Sequence, residues 1–193
     1  IPVSSSSSNS SVSNPDSFVL SCGVSSNVTD ADGRNWIPDS NISPLLIILS
    51  PPLLNRKTLL CLLLIFKSEA TYRFAVSPNN SHWVRLHFYP SCFSTYNSSA
   101  AYFSVTTGDF TLLSNFSAFI TAQALTQAYI IREFSLPPIR FGTLNLTFTP
   151  SSAYNGTFAF VNGIEIISMP EIFQSTPMVG FSDQFIEAEN STV

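Results

Sequence analysis

Short runs in which apolar and polar residues alternate, separated by turn residues, recur along the chain from Phe18 to Ile167. A period of two places every second side chain on the same face, which is typical of half-buried β-strands. Many short strands of this kind predict an all-β fold, a β-sandwich of the jelly-roll type with few short helices.

The same pattern places individual elements. Strands are predicted at Thr71–Val76, Trp83–Tyr89, Tyr102–Thr107, Tyr129–Phe134 and Leu144–Thr149. Asn162-Gly163 suits a type I′ turn, so a hairpin is predicted from Phe158–Val161 and Ile164–Ile167. One short helix is predicted at Thr121–Gln127.

Length and composition set further bounds. The 193 residues suit one domain, which we place at residues 17–177, after a disordered Ser-rich leader at 1–16. A net charge of −4, with only eight basic residues, argues against nucleic-acid binding. Asn55, Arg56 and Lys57 interrupt the most apolar stretch, residues 44–66, so it is not predicted to span a membrane.

N-glycosylation sequons indicate the compartment. Chance would give roughly three to four N-x-S/T sites in a chain of this composition, and the sequence has nine. They are Asn9, Asn27, Asn41, Asn79, Asn97, Asn115, Asn145, Asn155 and Asn190. In Leu144–Thr149, the pattern places Asn145 on the solvent side of its strand, where a glycan can be accommodated. The excess predicts an extracellular glycoprotein.

The three cysteines are Cys22, Cys61 and Cys92, and no pair has CxxC spacing. Zinc and thioredoxin-type sites are therefore not indicated. A disulfide between Cys22 and Cys92 is one arrangement; a free thiol or a bond to another chain remains open.

No catalytic constellation is apparent. Asp30, Asp32 and Asp39 form the densest carboxylate cluster, but the later ligands of a calcium loop are absent, and a turn held by Asp side chains and Gly33 is the favoured interpretation. His87 is interpreted as a sheet histidine. We therefore predict no enzyme activity, no metal and no cofactor.

A binding face is a better candidate. Trp83, Arg85, His87 and Tyr89 share one face of their predicted strand, where aromatic rings could stack on sugars and polar groups could bond hydroxyls. Packing of this face against other parts of the fold is the alternative. Trp36 and Tyr96, in predicted loops, are weaker candidates.

Several segments, in the same order, resemble the ectodomain of plant malectin-like receptor kinases of the FERONIA type. They are Leu20–Gly23, Thr29–Arg34 with Trp36, Trp83–Pro90, Phe103–Val105, Phe110–Leu113 with Asn115–Ser117, Ile131–Phe134, Gly142–Pro150 and Phe158–Glu165 with Ser168–Pro170. The resemblance implies a malectin-like β-sandwich, the first of two in an ectodomain. Residues 178–193 would then be the linker into the second malectin-like domain.

By the same resemblance, the expected function is ligand sensing on the extracellular face of the plasma membrane, in a receptor whose kinase domain lies outside this chain. The partners implied are a secreted basic peptide with a lipid-anchored co-receptor, or a cell-wall polysaccharide. A secreted, free-standing lectin-like protein is the alternative.

One region departs from the family. Where relatives carry a polar segment, this chain has Pro44–Leu64 and resumes the family pattern at Ile65-Phe66. Reading the codons of Leu54–Leu63 in a shifted frame can give an amino-acid sequence like that of the family. We therefore hypothesise a frameshift or mis-spliced segment near residues 43–64. A chain translated as written would lack a family strand, and a non-functional fragment is then the third interpretation.

Overall fold

In a computed structural model of the chain, residues 16–30, 32–39, 47–49, 63–90 and 97–169 are described, and they form thirteen strands and one α-helix. The strands are β1 (Ser17–Ser21), β2 (Val28–Thr29), β3 (Asn35–Pro38), β4 (Ile47–Leu49), β5 (Leu63–Phe66), β6 (Ala70–Ala75), β7 (His82–Phe88), β8 (Phe103–Thr107), β9 (Phe110–Phe116), β10 (Ile130–Leu136), β11 (Thr143–Pro150), β12 (Ala159–Val161) and β13 (Gly163–Ser168). The helix α1 spans Ala118–Leu125, and a single 3-10 turn spans Ser98–Ala100.

The strands form three sheets. The six-stranded sheet has the order β10-β7-β13-β1-β3-β2, the four-stranded sheet β6-β11-β8-β9, and the three-stranded sheet β12-β5-β4. Neighbouring strands are antiparallel except β1 and β3, which run parallel.

Aromatic side chains fill the space between the six-stranded and four-stranded sheets. The Phe88 ring on β7 lies 5.7 Å from the Phe103 ring on β8, and Phe18 on β1 lies edge-on to Phe74 on β6 at 5.4 Å. The three-stranded sheet joins the same core, because Phe66 on β5 lies 5.6 Å from Phe148 on β11. The prediction of an all-β sandwich with few short helices is confirmed.

The alternating pattern located the strands well. The five strands predicted between Thr71 and Thr149 correspond to β6, β7, β8, β10 and β11, with ends that differ by one or two residues. In β11, Leu144, Leu146 and Phe148 are buried and Asn145 is exposed, as the pattern predicts.

The predicted hairpin at Asn162-Gly163 is wrong. β12 pairs with β5 in the three-stranded sheet, whereas β13 pairs with β1 and β7 in the six-stranded sheet, so the chain crosses between sheets at this point. Asn162 is buried, and its side-chain Oδ1 accepts a hydrogen bond from the Tyr89 backbone N–H at 2.6 Å. Gly163 is absent from the residues with positive φ, which a type I′ turn requires.

The predicted helix exists but begins earlier. α1 starts at Ala118 rather than Thr121, because the Ser117 side chain caps it by accepting from the Ile120 N–H. It ends at Leu125, and Thr126 follows in the left-handed conformation with φ 53°.

Other predictions fall partly or wholly outside the described residues. These are the leader at 1–16, of which only Asp16 is described, the linker at 178–193, and most of the divergent stretch near residues 43–64. Within the described residues, no helix has the length and apolarity to span a membrane.

Candidate functional site

The candidate site is the outer face of the six-stranded sheet, around β7. Val84, Leu86 and Phe88 point into the core, so Trp83, Arg85 and His87 point the other way, as the pattern predicts. Strand register places Arg85 between Glu133 on β10 and Glu165 on β13, and Trp83 between Ser135 and Ile167. We call this surface the outer face.

Ion pairs connect the charged side chains of the outer face. Glu165 is buried, and its Oε1 accepts hydrogen bonds from His87 Nε2 at 2.6 Å and Arg85 Nη1 at 3.2 Å. Arg34 Nη1 approaches the same oxygen at 3.4 Å. On its other side, Arg85 donates from Nε to Glu133 Oε1 at 2.6 Å.

These contacts decide the protonation of Glu165. Burial alone raises the pKa of its carboxyl group, but the hydrogen bonds and charges of His87 and Arg85 outweigh burial and hold that pKa below its ordinary value. Partial burial by itself lowers the pKa of Arg85, but Glu133 and Glu165 outweigh it and raise that pKa. Glu165 and Arg85 are therefore both charged at neutral pH.

His87 is covered rather than open to a ligand. The Trp36 ring lies edge-on to the imidazole at 5.2 Å, and His87 is buried. Its Nδ1 has no hydrogen-bond partner among the described residues. The mid-strand sheet position predicted for His87 is confirmed.

Trp36 lies in strand β3, not in a loop as predicted, and only 2% of it is exposed. Its indole Nε1 donates to Asp30 Oδ2 at 2.9 Å, and the Arg34 guanidinium lies 5.6 Å from the ring centroid. The Trp36 side chain therefore packs against the outer face at the His87 end of β7.

Asp30 holds the turn before β3. Its Oδ1 accepts from the backbone N–H of Asp32 and of Arg34, and Gly33 has φ +80°. The hydrogen bond from Trp36 is the largest cause that lowers the pKa of Asp30, to about 2. The predicted structural turn is confirmed for Asp30, Asp32 and Gly33, but Asp39 lies outside it, where it accepts hydrogen bonds from the Gly23 N–H and the Tyr72 hydroxyl.

Trp83 is the open end of the outer face, with 52% of its surface exposed. It lines a cleft of about 340 Å³ together with Arg85, Glu133, Ser135, Glu165 and Ile167. Tyr89, farther along the chain, stacks on Tyr129 at 6.1 Å. Tyr96 lies outside the described residues, so its role as a candidate stays a prediction.

The disulfide prediction falls partly outside the described residues. Cys22 is buried, and burial raises the pKa of its thiol. Cys92 lies outside the described residues, so the disulfide stays a prediction.

The sequon asparagines that the structure describes are all exposed. They are Asn27, Asn79, Asn97, Asn115, Asn145 and Asn155. Asn9, Asn41 and Asn190 lie outside the described residues.

Among the described residues, no three His, Cys, Asp or Glu side chains lie close enough to hold a metal ion. Sequence reasoning missed Glu133, Glu165 and Arg34 because their importance depends on which strands are neighbours. Glu165 carries a weak signal, a charged residue inside an otherwise apolar run.

No protein-family profile matches the chain. The receptor-like protein kinase ANXUR2 of Arabidopsis thaliana is 43% identical over an alignment of 197 positions that covers 95% of this chain and 22% of that protein. The crystal structure of its extracellular domain superposes with a TM-score of 0.77 at 43% identity, over 88% of this chain and 45% of that one. By sequence and by fold, the chain matches the malectin-like ectodomains of FERONIA-type receptor kinases.

The chain also matches other FERONIA-type proteins. The receptor-like protein kinase FERONIA of Arabidopsis thaliana is 41% identical over 91% of this chain and 21% of its own length. A solved structure of the plant peptide RALF23 in complex with FER and LLG2 matches with a TM-score of 0.71 and 38% identity, over 85% of this chain and 42% of that one.

The similarity covers only part of each relative. The chain spans about a fifth of the length of the curated FERONIA-type relatives it matches. The solved structures that it matches are ectodomains rather than kinase domains. The chain thus corresponds to an ectodomain portion of these receptor kinases.

Proposed function

We propose that this chain is an extracellular ligand-sensing module of a receptor-like kinase, and that it binds a secreted basic peptide together with a co-receptor. The observation that carries the proposal is its similarity to the FER chain in the complex with RALF23 and LLG2. The identity is 38% over 85% of this chain, which supports a ligand of the same class.

Charge supports a basic ligand. The formal net charge of the chain is −4, and the outer face contributes Glu133 and Glu165. Opposite charges speed the encounter of two proteins and favour complementary partners, and the effect weakens as salt rises. Pectin, itself a polyanion, would be repelled by the same charge.

The sequons support an extracellular location. Each described sequon asparagine is exposed, so an attached glycan would meet no packed neighbour. An extracellular position, on the outer side of the plasma membrane, places the module where a secreted ligand can reach it.

A binding titration tests the proposal. The full chain, secreted from a plant cell line with its glycans, is immobilised and titrated with RALF23, with and without LLG2, at several salt concentrations. We expect saturable binding that LLG2 strengthens and that weakens as salt rises. De-esterified pectin fragments and an uncharged oligosaccharide serve as comparison ligands.

Two results would contradict the proposal. Equal or tighter binding of de-esterified pectin fragments, unaffected by salt, would identify a carbohydrate-binding module instead. Failure to bind any of these ligands, by a chain whose thermal unfolding is cooperative, would favour a non-functional copy.

A further inference from the structure

Three exposed apolar side chains mark the outer face as more than a solvated sheet surface. Trp83, Ile131 and Ile167 remain exposed on three adjacent strands, β7, β10 and β13. Trp83 and Ile167 are directly opposite each other in the strand register. Both line the cleft that also contains Glu133, so an apolar wall and a carboxylate meet in one concave site.

The charges of this surface favour a cation. Asp30, Asp32, Glu133 and Glu165 form one continuous series of ion pairs with only two guanidinium groups, those of Arg34 and Arg85. Four carboxylates and two guanidinium groups leave two excess negative charges, or one when His87, which also pairs with Glu165, is protonated. Arg132, next to Glu133 on β10, places its guanidinium over the Phe116 ring at 5.5 Å.

Glu133 retains capacity for a partner. Its side chain is 63% exposed, and both of its contacts with Arg85 use Oε1. Oε2 has no hydrogen-bond partner among the described residues. A free carboxylate oxygen beside an exposed indole is suited to a Lys or Arg side chain, which can pair with the carboxylate while its charge lies over the ring.

The positions of the sequons leave this surface accessible. Asn115 and Asn145 lie in β9 and β11 of the four-stranded sheet, and the other described sequons lie in connections. The Asn27 sequon reaches into β2 at the edge of the six-stranded sheet, but no sequon asparagine lies within β7, β10 or β13. Glycans on Asn115 and Asn145 would lie on the four-stranded sheet, and none would be attached to the strands that carry Trp83, Glu133 and Ile167.

We propose that the cleft between Trp83, Glu133 and Ile167 binds a basic side chain of the peptide ligand, with the neighbouring apolar residues of that peptide packed on Trp83 and Ile167. This assignment rests on the proposed function and specifies its site. It commits the outer face to a Lys or Arg side chain of a peptide rather than to a sugar.

Substitutions with matched controls test the assignment in the RALF23 and LLG2 titration. We expect Trp83→Ala to weaken binding about tenfold and Glu133→Gln to weaken it about threefold to tenfold. Phe110→Ala removes an equally exposed aromatic ring, 52% exposed, from β9 on the far sheet. Asp109→Gln removes a carboxylate charge there without creating a sequon, which Asn before Phe110-Thr111 would do. Both controls should bind as the unmodified chain does.

Tryptophan fluorescence gives a second readout that needs no substitution. The chain has two tryptophans, and Trp36 is buried, so acrylamide quenches mainly Trp83. We expect RALF23 with LLG2 to protect the emission from acrylamide. Binding without protection, or with equal losses in the controls, would overturn the assignment and leave the proposed function standing.

The remaining outcomes are also decisive. Protection of Trp83 by de-esterified pectin fragments, with no protection by the peptide, would make the outer face a carbohydrate site and overturn the assignment. Absence of peptide binding by the unmodified chain would overturn both the proposed function and the assignment.

Discussion

At the scale of single residues, the buried carboxylate of Glu165 organises the candidate site. It accepts hydrogen bonds from His87 and Arg85, and Arg34 approaches it from the turn before β3. A buried carboxylate is stable only while such partners compensate its lost hydration. Glu165 therefore fixes the orientation of Arg85, which in turn positions Glu133 at the rim of the cleft.

We predict that Glu165→Gln lowers the free energy of unfolding by about 1–3 kcal/mol, because it leaves the cations of the network without a buried counter-charge. Glu133→Gln removes an exposed carboxylate from the same row and should cost less than about 1 kcal/mol. Urea unfolding of the two glycosylated variants measures both. Equal losses would contradict the central role of Glu165.

Asp30 predicts a pH dependence. Its folded-state pKa, about 2, lies below the ordinary 3.8, so its contribution to stability is present above pH 3.8 and is lost as pH falls toward 2. Glu165 and Asp16 have lowered pKa values and act in the same direction, whereas the raised pKa of Asp39 opposes them.

We therefore expect the melting temperature to fall between about pH 4 and pH 2, and to fall less in Asp30→Asn than in the unmodified chain. Asp109→Gln, in an exposed turn and without a new sequon, should retain the unmodified profile. Differential scanning calorimetry across this range measures the effect. An identical pH profile in Asp30→Asn would show that the Trp36 and Arg34 contacts do not favour the charged carboxylate.

At the scale of elements, the crossing from β12 to β13 depends on close packing at Gly163. A Cβ atom there would lie 2.7 Å from Trp36 Cζ3 and 3.3 Å from the Leu20 carbonyl oxygen. The glycine thus allows the Trp36 ring to lie against the start of β13 and cover His87.

We predict that Gly163→Ala destabilises the fold by about 1–3 kcal/mol through overpacking. The loss should be smaller when Trp36→Phe is already present, because the smaller ring leaves room for the methyl group. A double-mutant cycle by chemical unfolding measures this coupling. Strictly additive losses would mean that the Trp36 ring is not what Gly163 accommodates.

The sequence was sufficient to predict most strands but not their partners. Alternation reports which side of a strand is buried, and this located β7 and β11 within one or two residues. It carries no information on pairing, so the Asn162-Gly163 pair was interpreted as a turn although β12 and β13 belong to different sheets. Because strand pairing was unknown, Glu165 was not recognised as a site residue and Trp36 was predicted to lie in a loop.

The frameshift hypothesis for the stretch near residues 43–64 makes a separate prediction. β5 spans the point where the family resemblance resumes, and its Ile65 and Phe66 are buried in the core. Under the frameshift hypothesis, transcript sequencing across the codons for Ser43–Phe66 should reveal a reading frame that encodes a family-like sequence. A transcript that matches the chain as written would contradict the hypothesis.

At the scale of the whole molecule, the two sides of the sandwich differ. The four-stranded sheet presents sequons in β9 and β11, whereas the outer face presents Trp83, Glu133 and Ile167. Under the proposed function, glycans on the four-stranded sheet would aid the solubility of a chain with only 10% charged residues, and the outer face would bind the ligand.

We predict that the six described sequon asparagines carry glycans when the chain is secreted by plant cells, because all of them are exposed. Enzymatic deglycosylation in heavy-oxygen water marks each occupied site for mass spectrometry. Asn115 and Asn145 are the informative sites, since they lie within strands. Their absence from the marked set would remove the argument that glycans distinguish the two sides.

Peptide sensing through the outer face can be tested by hydroxyl-radical footprinting of the glycosylated chain, alone and with RALF23 and LLG2. If the peptide binds there, oxidation of Trp83, Ile131 and Ile167 falls in the mixture, while oxidation of Phe110 on the far sheet stays the same. Unchanged oxidation at all four residues, or protection confined to Phe110, would contradict peptide sensing through this surface.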